Sequence, residues 1–278
     1  MFTLSAFADE ISPEPREQIA VLKSANIRHI EFRSIHKTNV LKLDEIQIRE
    51  FQALLRDEGM KISAIGSPIG KSAIDAPFEP HFDLFKKACE LAHLFNTPNI
   101  RVFSYYPPEG EWNQDWAPHR EEVIRRMRLK AEYAAKSQIV LFHENEHRIY
   151  GDTPDRVLDV LTSVNLPSLR GAYDAANYVH DGFDPVEGWE KTKDLTAHLH
   201  IKDWTHGEAQ GRLAGHGEGK IPHSIADAVQ RGYDGFAVLE PHLRGGGPTG
   251  GITGPDLFPV AVEAFRQILR VCGGRERF

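Results

Sequence analysis

The chain of 278 residues lacks the features that mark secreted and membrane proteins. It contains two cysteines, Cys89 and Cys272, and neither stands in a Cys/His spacing typical of zinc sites or redox pairs. No apolar run approaches the roughly 20 residues that a membrane span needs. The chain reaches Asp9 and Glu10 after a short apolar run without a basic segment, so no secretory signal is indicated. We therefore expect a soluble, cytoplasmic protein.

The charge is also not that of a protein that binds nucleic acid. Lys and Arg number 33 against 40 Asp and Glu, which gives a formal net charge of −7. Such a chain offers no phosphate track, so neither nucleic acid nor a membrane surface is an expected partner. Two Gly-rich stretches, LAGHGEGKIP and LRGGGPTGGITGP, match neither a P-loop nor the dinucleotide GxGxxG pattern. We expect them to be loops that either connect flexibly or cover a substrate.

Short apolar segments rich in β-branched and aromatic residues alternate with segments of helical periodicity along the whole chain. The predicted strands are FTLSAFA, IRHIEFR, KISAIGS, NIRVFSY, IVLFHENE, LRGAYDA, LTAHLHIKD and GFAVLEP. Helix boundaries are indicated by Ser12 as an N-cap, by Thr153 before Pro154, and by Gly59 as a C-terminal stop. At about 25 to 40 residues per unit, the pattern predicts an α/β fold, a single-domain (β/α)8 TIM barrel over residues 1–278.

Four predicted strands in the second half end in a residue type that binds metals. The segments LFHENE, RGAYDAAN, AHLHIKDW and AVLEPHL deliver Glu144, Asp174, His200 and Glu240. Strand ends spread along a chain in this way converge in a closed barrel, whereas an open sheet gathers its site mainly at one switch point. Three carboxylates and an imidazole suit one divalent cation. We therefore expect a metal site at the C-terminal rim of the barrel.

Strand periodicity supports this site, because alternate side chains of a barrel strand point inward. The residues predicted to share a face are His198, His200 and Lys202; Glu144 and Glu146; Glu240 and His242; Glu31 and Arg33. Charges buried without partners cost several kcal/mol, so these faces are poor core but suit a cation and a polar ligand. A single strand-end carboxylate is more often a structural ion-pair partner. The recurrence over four strands favours a metal site.

The chain resembles the xylose isomerase-like TIM-barrel superfamily, which includes ketose 3-epimerases, hydroxypyruvate isomerases, inosose dehydratases and, more distantly, endonuclease IV. The resemblance is carried by HENE, YDAAN, HLHIKD, GEGKIP and GYDGFAVLEPH, and it extends from FADEIS to the last strand. It implies that Glu144, Asp174, His200 and Glu240 bind one divalent metal ion. Mn²⁺ or Mg²⁺ suits these ligands best, and Co²⁺ or Zn²⁺ can substitute. In the family pattern the second His of HxH binds the metal, which selects His200 over His198.

The resemblance implies a sugar isomerase or epimerase acting on a small-molecule sugar or polyol carbonyl compound. The metal would stabilise the enediolate formed when the carbon next to a carbonyl loses its proton. Glu144 and Glu240 would act as the acid/base pair. Return of the proton to the opposite face gives epimerisation, and return to the adjacent carbon gives isomerisation. Loss of a β-hydroxyl would instead make the enzyme an inosose-type dehydratase. Homo-oligomers are common in this superfamily.

Substrate contacts are expected from polar residues close to the metal. The leading candidate is Lys202, and the others are Asn177, His206, Arg212 and Arg33. Asn177 stands where many epimerases carry a histidine. An amide cannot shuttle a proton at neutral pH, which weakens the ketose-epimerase interpretation without affecting the metal site.

Two alternatives come from other functional classes. An endonuclease IV-like nuclease would need further histidine ligands in regions that here read GSPIG, FSYYPP and YDAAN. A non-catalytic sugar-binding barrel would have no need for two carboxylates on either side of a metal.

Overall fold

Eight parallel strands occur where the sequence predicted them, and each is followed by at least one helix. The computed structural model describes residues 1–108, 115–247 and 250–278, so residues 248–249 of the second Gly-rich stretch lie outside the described residues. The strands are β1 (Phe2–Ala6), β2 (His29–Phe32), β3 (Lys61–Ile65), β4 (Asn99–Val102), β5 (Val140–Glu144), β6 (Leu169–Asp174), β7 (Thr196–Ile201) and β8 (Gly235–Leu239). The helices are α1 (Pro15–Ser24), α2 (Glu45–Glu58), α3 (Phe78–Leu94), α4 (Arg120–Lys136), α5 (Pro154–Val164), α6 (Ala175–His180), α7 (Pro185–Thr192), α8 (Ile221–Gln230) and α9 (Phe258–Val271).

The strands form one parallel sheet that curls into a barrel. Each strand from β2 to β7 pairs with the next strand along the chain, and β8 also pairs with β1. The two ends of this run, β1 and β2, pack side by side. A short C-terminal strand, Glu276–Arg277, pairs in parallel with β1 on the edge that does not pair with β8. The predicted (β/α)8 TIM barrel is therefore confirmed.

Helix boundaries follow the predicted signals at two positions and depart from them at a third. Thr153 caps α5 by accepting a hydrogen bond from Arg156 N at 3.2 Å, and Gly59 ends α2 with φ of 66°. The prediction that Ser12 caps α1 is wrong, because α1 begins at Pro15 with Glu14 as its N-cap. A residue before proline is disfavoured in helical conformation, and Glu14 is accordingly extended (φ −89°, ψ 117°).

Helix α9 buries one apolar stripe against the hydrophobic core. In α9 the buried residues Phe258, Val262, Phe265 and Leu269 recur every three or four positions, the spacing of one helix face. Burying each of these side chains is worth about 1.5–3 kcal/mol. Among the described residues, no helix combines the length and the apolar character needed to cross a membrane.

Strand register brings the carboxyl ends of β5 to β8 together. Asp174 on β6 lies directly opposite His200 on β7, and Glu144 on β5 lies opposite Ala172 on β6. Glu240 follows β8, and its backbone N–H donates to the carbonyl oxygen of Ile201 at 3.1 Å. The four strand ends singled out in the sequence therefore meet at one rim of the barrel.

Candidate metal centre

Glu144, Asp174, His200 and Glu240 form a buried group at this rim, here called the strand-end cluster. Each offers one ligand atom, and the four atoms lie within 4.8 Å of one another. His200 Nδ1 is 3.0 Å from Glu144 Oε1 and 3.9 Å from Glu240 Oε2. None of the four residues is more than 3% exposed. The structure thus brings together the four residues that the sequence placed at a metal site.

The strand-end cluster fits a divalent cation by its charges and by its unsatisfied oxygens. Burial raises the pKa of Asp174 to about 6, even though Lys202 Nζ lies 2.7 Å from its Oδ2. Oε2 of Glu240 is buried and accepts no hydrogen bond from any described residue. A cation would offset the cost of burying the Asp174 carboxylate and give Oε2 of Glu240 a partner. Three carboxylates and one imidazole are the donors that Mg²⁺ and Mn²⁺ accept.

His200 faces a carboxylate with each of its ring nitrogens. Nδ1 faces Glu144, and Nε2 lies 3.5 Å from Glu31 Oε2. Burial lowers the pKa of His200, but Glu144 and Glu31 outweigh it and raise this pKa well above its ordinary value. In metal sites a carboxylate beside the second nitrogen of a histidine fixes the orientation of the ring. Nδ1 is therefore the nitrogen that would meet a metal.

His198 lies in the barrel interior and contacts Glu31. Its Nε2 donates a hydrogen bond to Glu31 Oε2 at 2.6 Å, and its ring stacks on Phe142 at 4.4 Å. Glu31 is fully buried, and its carboxylate faces both His198 and His200. This arrangement explains why only the second histidine of the HxH pair belongs to the strand-end cluster.

Replacing Glu31 by Ala is expected to lower the free energy of unfolding by about 3–5 kcal/mol, because it removes one of the two carboxylates that face buried His200 and the hydrogen-bond acceptor of buried His198. Urea unfolding followed by circular dichroism measures this loss. Glu58→Ala is the matched control, because Glu58 forms a surface ion pair with Lys23 and its loss should leave the unfolding curve unchanged. Equal effects of the two substitutions would contradict the role given to Glu31.

Two arginines form ion pairs with the two glutamates of the strand-end cluster. Arg33 Nη1 lies 2.6 Å from Glu240 Oε1, and Arg101 Nη1 lies 3.1 Å from Glu144 Oε2. Both guanidinium groups pack over the ring of Phe7, at 4.5 and 4.6 Å from its centre. Burial raises the pKa of Glu144, but His200 and Arg101 overcome this effect and lower it to about 2. Burial also raises the pKa of Glu240, but Lys202, His242 and Arg33 overcome this effect and lower it well below its ordinary value, so both carboxylates are held in the ionised form.

A cavity of about 930 Å³ lies beside the strand-end cluster and is lined by Glu144 and Glu240. Three of the predicted substrate contacts, Lys202, Asn177 and Arg33, also line it. This volume is in the range of sites that bind small molecules. The cavity can therefore hold a sugar-sized ligand against the cluster.

Asn177 and Lys202 connect the cavity to the strand-end cluster. Asn177 Nδ2 donates to the carbonyl oxygen of Asn145 at 2.8 Å and lies 3.4 Å from Glu144 Oε1. Lys202 Nζ lies 3.8 Å from Glu240 Oε2, in addition to its contact with Asp174. Both side chains are thus placed to contact a ligand and a cluster carboxylate together.

The other two predicted substrate contacts, His206 and Arg212, do not line the cavity. His206 is exposed, and its Nδ1 lies 3.0 Å from the carbonyl oxygen of Val179. Arg212 is also exposed and pairs with Glu208. Both residues follow the end of β7, where the alternation of a strand no longer decides the direction of a side chain.

Asp203 fixes the first Gly-rich stretch, a role for which no pattern in the sequence provides a signal. Its Oδ2 accepts hydrogen bonds from the backbone N–H groups of Gly215 and Gly217 at 2.8 and 3.0 Å. Its Oδ1 accepts from Gly219 N at 2.8 Å. A Cβ atom at Gly217 would lie 2.4 Å from Oδ1, so this close approach requires glycine. The loop after β7 is therefore wrapped around a buried carboxylate.

Comparisons with known proteins agree with this fold. A profile described as xylose isomerase-like TIM barrel matches residues 19–268. The chain is 26% identical to 3-dehydroshikimate dehydratase of Bacillus anthracis over 175 aligned residues. The aligned region covers 63% of this chain and 61% of that protein. The match thus spans less than two thirds of that relative.

Two solved structures share the fold over nearly the full length. A xylose isomerase-like TIM-barrel protein from Mycobacterium smegmatis, in complex with magnesium, has a TM-score of 0.72 at 19% identity, covering 98% of this chain and 96% of that one. D-allulose 3-epimerase from Methylomonas sp., in complex with D-allulose, has a TM-score of 0.70 at 17% identity, covering 96% of each chain.

Proposed function

Because the chain belongs to the xylose isomerase-like TIM-barrel family, we propose that it is a metal-dependent enzyme that removes a proton from the carbon beside a carbonyl group. The observation that carries this proposal is the buried strand-end cluster, with ligand atoms within 4.8 Å of one another beside a cavity. Its substrate would be a small polyhydroxylated carbonyl compound. Two of the relatives, 3-dehydroshikimate dehydratase and D-allulose 3-epimerase, are enzymes named for small hydroxylated carbonyl compounds.

The four residues of the strand-end cluster would hold one divalent cation, with Mg²⁺ or Mn²⁺ suited best to their donors. When bound, the cation supplies a Lewis acid that polarises the substrate carbonyl. The buried Oε2 of Glu240 and the raised pKa of Asp174 support this assignment. The magnesium in the Mycobacterium smegmatis structure is consistent with it.

Glu144 and Glu240 are the proposed acid/base pair. Both line the cavity. Despite the effect of burial, His200 and Arg101 lower the pKa of Glu144, and Lys202, His242 and Arg33 lower that of Glu240, so both are in the ionised form that accepts a proton from carbon. Lys202 would donate hydrogen bonds to a substrate oxygen beside Glu240. Asn177 would donate to a hydroxyl group near Glu144.

Loss of water is the reaction that we favour after this first step. A carboxylate takes the proton from carbon, and the electron pair of that C–H bond forms a C=C bond. The protonated carboxylate then gives this proton to the β-hydroxyl, which leaves as water with the electron pair of the C–O bond. The 26% identity with 3-dehydroshikimate dehydratase supports this outcome. Asn177 supports it as well, because an amide positions a hydroxyl group without taking part in proton return. A 3-dehydroshikimate-like hydroxy ketone is thus the first substrate class to test.

Epimerisation or isomerisation is the second candidate. The observation that favours it is that Glu144 and Glu240 both line the cavity, each with its own arginine. Two such carboxylates suit removal of a proton by one group and return by the other. The shared fold with D-allulose 3-epimerase is compatible with this outcome.

Incubation of the metal-loaded protein in deuterated water with a panel of substrates, followed by NMR, tests the proposal. The panel contains 3-dehydroshikimate, inososes and ketoses, with the Glu144→Gln variant as the inactive control. We expect at least one compound to lose its C–H signal beside the carbonyl. An unsaturated product identifies a dehydratase, and deuterium incorporation without loss of oxygen identifies an epimerase or isomerase. The absence of both deuterium exchange and an unsaturated product in every compound would refute the proposed reaction class.

A further inference from the structure

A second set of metal-binding side chains lies on the cavity, namely His147, His180 and Asp181, here called the histidine group. His147 Nδ1 forms a hydrogen bond with Asp181 Oδ1, and His180 Nδ1 lies 3.4 Å from the same oxygen. The three ligand atoms lie within 4.8 Å of one another. The two imidazole rings stand 4.9 Å apart at 76°. Two imidazole nitrogens therefore converge on one carboxylate oxygen.

The fold places the histidine group next to the strand-end cluster but builds it from other residues. His147 lies in the loop after β5, three positions beyond Glu144. His180 is the last residue of α6, the helix that begins after Asp174, and Asp181 is its C-cap. Both histidines line the same cavity as Glu144. The two groups can therefore bind separate ligands.

A simple ion pair does not use all three members of the histidine group. One protonated imidazole is enough to neutralise Asp181, and protonation of the second would place two positive rings beside each other. A cation, in contrast, uses two neutral imidazoles and one carboxylate together. This donor set matches zinc, which accepts histidine nitrogen and carboxylate oxygen and keeps water in an open position.

We propose that His147, His180 and Asp181 form a second cation site at the mouth of the cavity and that the cation is zinc. The side chains of His147 and His180 are 40% and 48% exposed, so an ion can enter from solvent and keep a water ligand. The side chain of Asp181 is only 8% exposed, which holds the carboxylate in place. Zinc there would tie the loop after β5 to the end of α6. The inference does not depend on the proposed reaction.

Equilibrium dialysis with zinc, in the presence of saturating magnesium, tests this site. Magnesium prefers oxygen ligands and should occupy the strand-end cluster rather than the histidine group. We expect the wild-type protein to bind about one zinc ion per chain more than His147→Ala or His180→Ala. His223→Ala is the matched control, because His223 is an exposed histidine 3.4 Å from Glu190 on a different surface. It should bind zinc as the wild type does.

A conservative variant and a cluster variant make the test decisive. Asp181→Asn keeps the shape of the side chain and should also lose the additional zinc ion, with an unchanged circular dichroism spectrum. Glu144→Gln should weaken magnesium binding and retain the additional zinc, which separates this site from the strand-end cluster. Equal zinc binding by the wild type, His147→Ala and His180→Ala would overturn the proposal, whatever the outcome of the activity tests.

Discussion

Glu144→Gln and Glu240→Gln are each expected to lower kcat by about 10²- to 10⁴-fold, the usual contribution of a positioned acid or base. Glutamine has nearly the shape of glutamate, but its amide cannot accept a proton from carbon. Both carboxylates line the cavity, and each is ionised and paired with an arginine. Steady-state kinetics on the substrate that shows exchange measures this effect.

Glu208→Gln is the matched control for these two variants. Glu208 lines the same cavity, but its carboxylate pairs with the exposed Arg212 outside the strand-end cluster. Its replacement should leave kcat unchanged. The metal content of each variant must also be measured, because a variant that keeps its cation and loses turnover identifies a proton-transfer role. Unchanged turnover in both cluster variants would show that neither carboxylate is the acid or base.

Removal of the divalent cation by a chelator is expected to reduce activity on the order of a thousandfold, since a Lewis acid at a carbonyl contributes several kcal/mol to the transition state. Mn²⁺ or Mg²⁺ added back should restore activity. Metal analysis of the dialysed protein, carried out beside the activity assay, measures both quantities. Full activity in protein that contains no divalent cation would contradict the proposed mechanism.

The two histidines of β7 provide a matched comparison for this prediction. His198 and His200 are equally buried and both contact Glu31, so replacement of either should cost similar stability. Only His200 belongs to the strand-end cluster. His200→Asn should therefore bind the cation much more weakly than His198→Asn. Equal loss of cation in the two variants would show that the effect comes from destabilisation alone.

The sequence predicted the parts of the site that lie on regular strands. Side chains alternate along a strand, so the spacing of His200 and Lys202 alone places both on one inward face. His206 and Arg212, which were predicted only from their nearness to the end of β7, lie away from the cavity because the backbone there bends around the carboxylate of Asp203. Predictions from periodicity are thus dependable only to the first residue beyond a strand, as for Lys202 and Glu240.

Contacts between distant segments could not be predicted from the sequence. Arg101 contacts Glu144 from the neighbouring strand. His242 Nε2 lies 3.0 Å from Glu10 Oε1, although the two residues are far apart in the sequence. These pairs depend on barrel closure and on the path of rim loops, for which a single sequence has no periodic signal. Asp181 likewise joins His147 only because α6 is short enough to end beside the loop after β5.

The position of a bound cation tests the central claim most directly. Anomalous diffraction from crystals grown with Mn²⁺ should show one strong peak within coordination distance of Glu144, Asp174, His200 and Glu240. Two other buried groups of potential ligands lie nearby, Glu31 with His198 and His200, and Glu10 with Glu240 and His242. Manganese bound at either of these groups, with the strand-end cluster empty in an active enzyme, would contradict the account.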